Sequence, residues 1–210
     1  MCGRYRATST SDDVAKLWKV PPNEAAEAAM ERREVRPTTQ IAVLQNADDG
    51  MTLEAVRWGI QPDWSRRPLL NARSDKLHGS RLWKRLAADH RHRCLFVADG
   101  WYEWLRPEQK TKDTKSQPFL HLLDGGRLFT MAGLLDIALV DGVETPAATV
   151  ITTDAAGESA RLSDRMPVVL PDLDRQRAWL DPSLTAADLD ELCAPLADGV
   201  TIEPVTLGRR

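Results

Sequence analysis

Residues 94–98, 118–123, 128–135 and 148–152 are four strand-length runs rich in Phe, Val, Leu and Ile. A chain with so many short apolar segments in its middle has to bury them in a sheet. Two further strand-like runs, 40–45 and 52–58, flank Asn46-Ala47-Asp48-Asp49-Gly50, whose composition reads as the somewhat long loop of a hairpin. Helical signals lie outside these runs. Ser11-Asp12-Asp13 can cap a helix through Ala15, Leu17 and Trp18, which Val20-Pro21-Pro22 ends. Between Asp75 and Asp89, Leu77, Leu82, Trp83 and Leu86 recur near helical spacing, although Gly79 weakens the first turns. Two acidic helices are expected over 172–180 and 185–196, followed by a short apolar run at 200–206. The stretch 59–70, broken by Pro62, Asp63 and Pro68, reads as a functional loop, and the polar stretch 110–117 as a mobile one. The expected class is α+β: compact, mainly antiparallel β, with peripheral helices.

With 210 residues, 42% of them hydrophobic, the chain can bury a full core, and we read it as one domain. No apolar run approaches the roughly 18 residues a bilayer span needs, and the start MCGRYRATSTSDD lacks the apolar core of a secretion signal. A soluble cytoplasmic protein is expected. Cys2, Cys94 and Cys193 are an odd number without short spacing, which argues against a disulfide framework and a zinc site. Among the histidines, only His90 and His92 have metal-like spacing, and they read as a basic surface turn, so no metal or cofactor is inferred. The formal charge of −3 is unusual for a general nucleic-acid binder. Charge is nonetheless segregated: nine basic residues lie from Arg66 to Arg93 against only Asp75 and Asp89, while 172–198 is acidic. That pattern suits either a phosphate-binding face or a solvated helix face.

Cys2 has chemistry that no internal cysteine shares. Removal of Met1 would leave a thiol and a free amine on adjacent carbons, with ordinary pKa values near ~8.5 and ~8. Their natural target is an aldehyde: the amine forms an imine, and the thiol closes it to a five-membered thiazolidine. The competing reading of Cys2 is a small buried hydrophobe. Gly3 permits close backbone approach, and Arg4 could hold a phosphate. Asn71 could orient a substrate oxygen or the Cys2 amine, and Arg73 could supply a second phosphate fork; a helix cap and a surface ion pair are the alternatives. Glu103, between Trp101 and Trp104, sits where a carboxyl pKa rises toward values useful for acid–base work, or is a structural residue at a strand end. Trp64 is either a stacking platform, contributing ~1–3 kcal/mol per base, or a loop anchor. Arg165, in Ser163-Asp164-Arg165-Met166-Pro167, is a further candidate phosphate contact.

The segments Met1-Cys2-Gly3-Arg4-Tyr5, Arg36-Pro37-Thr38, Trp58-Gly59-Ile60 with Pro62, Asn71-Ala72-Arg73-Ser74, Arg93-Cys94-Leu95 through Trp104, Met131-Ala132-Gly133-Leu134 and Asp164-Arg165-Met166-Pro167 occur in one order. Together they resemble the SOS-response-associated peptidase (SRAP) family, from residue 1 to about residue 170. The resemblance implies a barrel-like SRAP fold over residues 1–210, acting as a monomer, with a positively charged groove for single-stranded DNA. It also implies loss of Met1 and thiazolidine crosslinking of Cys2 to the ring-opened sugar of an abasic site, which shields the strand during the DNA-damage response. By position, the resemblance makes Cys2, Asn71 and Glu103 catalytic, and Arg4, Trp64, Arg73 and Arg165 DNA contacts. One position departs from the family: Ser163 stands where it has a histidine, and a hydroxyl cannot shuttle a proton near neutral pH as an imidazole does. The family's asparagine-containing tail is also not evident in Leu207-Gly208-Arg209-Arg210. Two alternatives stay open. One is a cysteine peptidase acting on Met1 or other peptide bonds, which needs an oxyanion hole and a base that the sequence does not reveal. The other is a single-strand-binding module without covalent chemistry.

Overall fold

The computed structural model describes residues 2–21, 23–47, 50–105 and 117–207. The hairpin read from the sequence forms β3 (Gln40–Ala47) and β4 (Gly50–Trp58), antiparallel and in register over eight residue pairs. Both strands run further than expected, so the turn is shorter; Asp48 and Asp49 lie outside the described residues. The apolar runs become β6 (Arg93–Ala98), β9 (Phe129–Val140) and β10 (Val143–Asp154). Pairing in the order β10-β4-β3-β6-β9 returns to β10 through the long β9–β10 hairpin, so five strands close into a barrel. The ring is antiparallel except where β10 meets β4, at Ala147↔Arg57 and Ala148↔Trp58.

Every residue of β6 is buried, which is why its sequence is a continuous apolar run instead of an alternating one. Leu95 and Val97 join a cluster with helix residues Val14, Leu86 and Trp179. Cys94, Phe96 and Ala98 join a second cluster with Tyr5, Trp58 and Trp101. The helix layer consists of α1 (Ser11–Trp18), α2 (Glu24–Glu27), α3 (Arg81–Ala88), α4 (Leu173–Leu180) and α5 (Ala186–Leu192). The cap of α1 is Thr10, one residue earlier than expected, in a reciprocal capping box with Asp13. The helix expected over 75–89 is split: Ser74–Lys76 is a 3-10 turn, and α3 starts only after Gly79, capped by Ser80. The expected 185–196 helix stops at Leu192. Arg93, counted above with the basic stretch, is only 1% exposed and donates to the Asp181 carbonyl beyond α4.

A second sheet runs β13 (Val200–Pro204), β8 (Pro118–Leu123), β7 (Gly100–Trp104), β1 (Tyr5–Ala7) and β2 (Arg32–Val35). The strands β1, β2 and β7 are short or interrupted by polar residues, and periodicity alone did not reveal them. Tyr5 packs edge-on against Trp58 at 5.3 Å, and Trp101 against Phe129 at 6.0 Å, which seats this sheet on the barrel. The 59–70 stretch is irregular as expected; one bridge, Ile60↔Leu69, closes it, and Gln61 pairs beside Ala138. Residues 110–116 of the expected polar loop lie outside the described residues. Among the described residues, no helix is long and apolar enough to cross a membrane.

Gly133 lies where β9 faces β6 and β10, and a Cβ there would sit 2.5 Å from the Phe96 ring and 2.9 Å from Cys94 Sγ. Since Phe96 is fully buried, it has no room to yield. Gly133→Ala is therefore expected to destabilise the fold by about 1–3 kcal/mol, read as a lower denaturation midpoint in urea.

Candidate active site

Asp99 places the N-terminus. It is 2% exposed, and its carboxylate accepts from Arg6 Nε (2.6 Å), Thr8 N (2.7 Å), Thr8 Oγ1 (2.7 Å) and Ser9 N (3.2 Å). These bonds hold β1 against β7 in the register Tyr5↔Trp101 and Arg6↔Gly100, and Tyr102 N donates to Arg4 O at 3.0 Å. Continuing that register sets Gly3 beside Glu103. Cys2 follows, fully buried in the cluster with Trp58 and Val150.

Burial pushes the Cys2 thiol well above its ordinary range, and the nearby Glu103 carboxylate pushes it further. In the chain still carrying Met1, this thiol is protonated. Glu103 is 4% exposed, and burial raises its carboxyl to about 7, opposed first by the positive charge of the amino terminus and then by a hydrogen bond from Ser163. Ser163 Oγ in turn accepts from Arg165 N at 3.2 Å. Cys2, Glu103, Ser163 and Arg165 thus form one connected group. Ser163 bridges the buried carboxyl group to β11 (Arg165–Pro167).

β10 links this group to the groove. On it, Thr152 pairs with Arg73 of β5 (Asn71–Arg73) and with Pro167 of β11, while Val150 pairs with Asn71. Arg165 is 5% exposed and donates to the Asp154 carboxylate and the Thr152 carbonyl. Its guanidinium is largely occupied inside the protein, a burial that no local sequence signal marks. Arg73 is exposed and forks onto Asp75 at 2.9 and 3.0 Å. Asn71 Oδ1 is buried and has no hydrogen-bond partner among the described residues. Asn71 and Arg73 line a groove of about 860 Å³ with Trp64, Lys76, Arg81 and Trp83. Trp64 is 67% exposed there, which removes the buried-anchor reading.

Arg4 lies elsewhere, on the second sheet. Its guanidinium sits 5.2 Å from the Trp104 ring centre and pairs with Glu34, a residue that the sequence did not single out. Nothing in Arg32-Arg33-Glu34-Val35 marks that glutamate, because its importance comes only from the β1–β2 pairing. All three cysteines are free and buried. Among the described residues, no group of three or more His, Cys, Asp or Glu is arranged to hold a metal ion.

The architecture defines a β-barrel protein that buries a cysteine at its extreme N-terminus against a protonatable glutamate, beside a basic groove. The chain belongs to the SOS response associated peptidase (SRAP) family, whose family model matches residues 1–207. It is 30% identical to the abasic site processing protein YedK of Escherichia coli over 92% of this chain and 86% of the relative. It is 29% identical to the abasic site processing protein HMCES of Xenopus tropicalis over 98% of this chain and 73% of the relative. A crystal structure of a Bacteroides thetaiotaomicron protein superposes with a TM-score of 0.82 at 21% identity, covering 98% of this chain and 92% of the other. A phage-related protein from Bordetella bronchiseptica superposes with a TM-score of 0.77 at 29% identity, covering 98% and 95%.

The raised Glu103 carboxyl fixes the sign of a pH effect. Between about 4.5 and about 7 the folded protein holds this proton more tightly than the unfolded chain does. The contribution therefore favours folding at the acid end and is lost as pH rises through about 7. Relative to Glu103→Gln, the parent protein should lose stability across that window and change no further above it, as measured by urea denaturation at a series of pH values.

Proposed function

We propose that the protein captures abasic sites in single-stranded DNA by forming a covalent bond through Cys2 once Met1 has been removed. The carrying observation is the burial of Cys2 against Glu103, whose carboxyl is raised to about 7. The names of the YedK and HMCES relatives point to the same lesion. A fully buried, protonated thiol is a poor nucleophile. Loss of Met1 supplies what it lacks, an amine on the adjacent carbon that reacts first. The amine adds to the aldehyde carbon and water leaves as the imine forms. The sulfur then adds to the imine carbon, and its proton passes to the nitrogen. One aldehyde and one aminothiol give one thiazolidine and one water.

Near neutral pH both forms of Glu103 are populated. The carboxylate can take a proton from the sugar hydroxyl during ring opening or from the Cys2 ammonium, and the acid can return it to the departing water. Asn71 Oδ1, buried without a partner among the described residues, is an acceptor for the Cys2 amine or a sugar hydroxyl, either of which would relieve its desolvation. Trp64 stacks a neighbouring base, and Arg73 with Lys76 and Arg81 holds phosphates along the groove. Arg4, two residues from Cys2, can hold a flanking phosphate, whereas the Arg165 guanidinium is buried on Asp154 and Thr152.

Protein confirmed by intact mass to lack Met1, mixed with an abasic single strand, should give a band on denaturing electrophoresis that Cys2→Ala abolishes. Glu103→Gln should slow its appearance on the order of 10²-fold. DNA retention under native conditions only would reject covalent capture and leave a simple binding module. With a serine in place of an imidazole beside Glu103, reversal of the crosslink is expected to be slow. Ser163→His should speed release of the bound strand; equal release rates for the two proteins would remove Ser163 from the mechanism.

A further inference from the structure

Outside the groove, Arg4 belongs to a charge cluster whose other members, Glu34 and Arg36, have no part in the chemistry proposed above. The cluster lies where β1 and β2 of the second sheet pair. Each oxygen of the Glu34 carboxylate takes a different arginine: Oε1 takes Arg4 Nη1, and Oε2 takes Arg36 Nη2 at 2.8 Å. Arg4 is held from a second direction by the Trp104 ring. Two arginines sharing one carboxylate leave one net positive charge, and the charge is not spread evenly. The Arg4 side chain is 17% exposed and that of Glu34 13%, whereas that of Arg36 is 39% exposed, so the excess charge faces solvent at Arg36. Although burial works against it, pairing with Arg36 and Arg4 holds the Glu34 carboxyl below its usual range, so the grip persists across neutral pH. Arg33, next in sequence, is also exposed and forms no ion pair among the described residues. Arg4 follows Cys2 by two residues, with Cys2 Sγ 3.9 Å from the Arg4 carbonyl oxygen, so this basic edge adjoins Cys2, and none of its residues lines the Trp64 groove.

We infer that Arg36 is a phosphate contact for the DNA strand outside the Trp64 groove, and that Glu34 is the residue that positions Arg36 and Arg4 for it. The ligand is a phosphodiester backbone, read without regard to base. The inference rests on the proposed function, but its first test does not require the covalent step. Binding of an undamaged single-stranded oligonucleotide is followed by fluorescence anisotropy over a range of salt concentrations. Each phosphate contact contributes about 0.7 to the slope of log affinity against log salt. Arg36→Gln should reduce the slope by about that amount, and Arg36→Lys, which keeps the charge, should restore it. An unchanged slope in Arg36→Gln overturns the contact, whether or not the parent protein crosslinks abasic DNA. The positioning role is read from crosslinking at saturating abasic strand. Glu34→Gln should lower that rate severalfold without reducing the salt slope, and Glu34→Asp should recover part of it. A lower melting temperature with both the slope and the saturating rate unchanged would make the trio a purely structural clamp and overturn the proposal.

Discussion

The Asp99 carboxylate, buried and saturated by Arg6, Thr8 and Ser9, is the interaction on which the site depends. A chain terminus is ordinarily the least ordered part of a protein, because few contacts repay the entropy of fixing it. Here a buried anion accepts five hydrogen bonds, one from Arg6 of β1 and four from Thr8 and Ser9 just after it. Hydrogen bonds to a charged acceptor are stronger than neutral ones, and breaking them would leave a buried charge unsolvated. The N-terminal segment therefore has one favourable place to lie, along β7, and Cys2 arrives beside Glu103 by register.

Burial that immobilises Cys2 also suppresses its thiol, while the same apolar surroundings lift Glu103 into the neutral range. One environment thus acts on two acids in the same direction with different consequences. A thiol moved far above neutrality is quiet, but a carboxyl moved to about 7 can both give and accept protons. Ser163 tempers Glu103 by donating a hydrogen bond, and ties it to the Arg165 strand. The barrel brings the remaining parts to this point through β10, which pairs with β5, β9 and β11 and so places Asn71, Arg73 and Arg165 along one strand.

What was legible in the sequence follows from how each signal is encoded. The hairpin of β3 and β4 and the strands β6, β8 and β9 could be read because apolar runs of strand length have few other uses, and the start of α1 to within one residue because capping is local. The second sheet was harder: β1 and β2 are three and four residues long, too short for any period to register. The 75–89 helix failed at Gly79, where local apolar spacing was outweighed by the cost of continuing through glycine. Arg93 counted as basic surface in the sequence and is buried in the structure. A formal charge carries no information on whether its side chain finds a carbonyl to donate to.

For the site, sequence alone determined the chemistry available: a cysteine one residue from the start, a glutamate among tryptophans, an Asn-Ala-Arg segment, a serine where the SRAP family has a histidine, and an exposed-loop tryptophan. These are properties of residue type and order, and folding does not alter them. Tertiary structure alone decided which of them meet. It brought Cys2 near Glu103 by pairing β1 with β7, joined Glu103 to Arg165 through Ser163, and set Arg4 under the hold of Glu34. The physical reason is that pKa, accessibility and partner choice all depend on what lies within a few ångströms. In a barrel built largely from long-range strand pairs, those neighbours are distant in sequence.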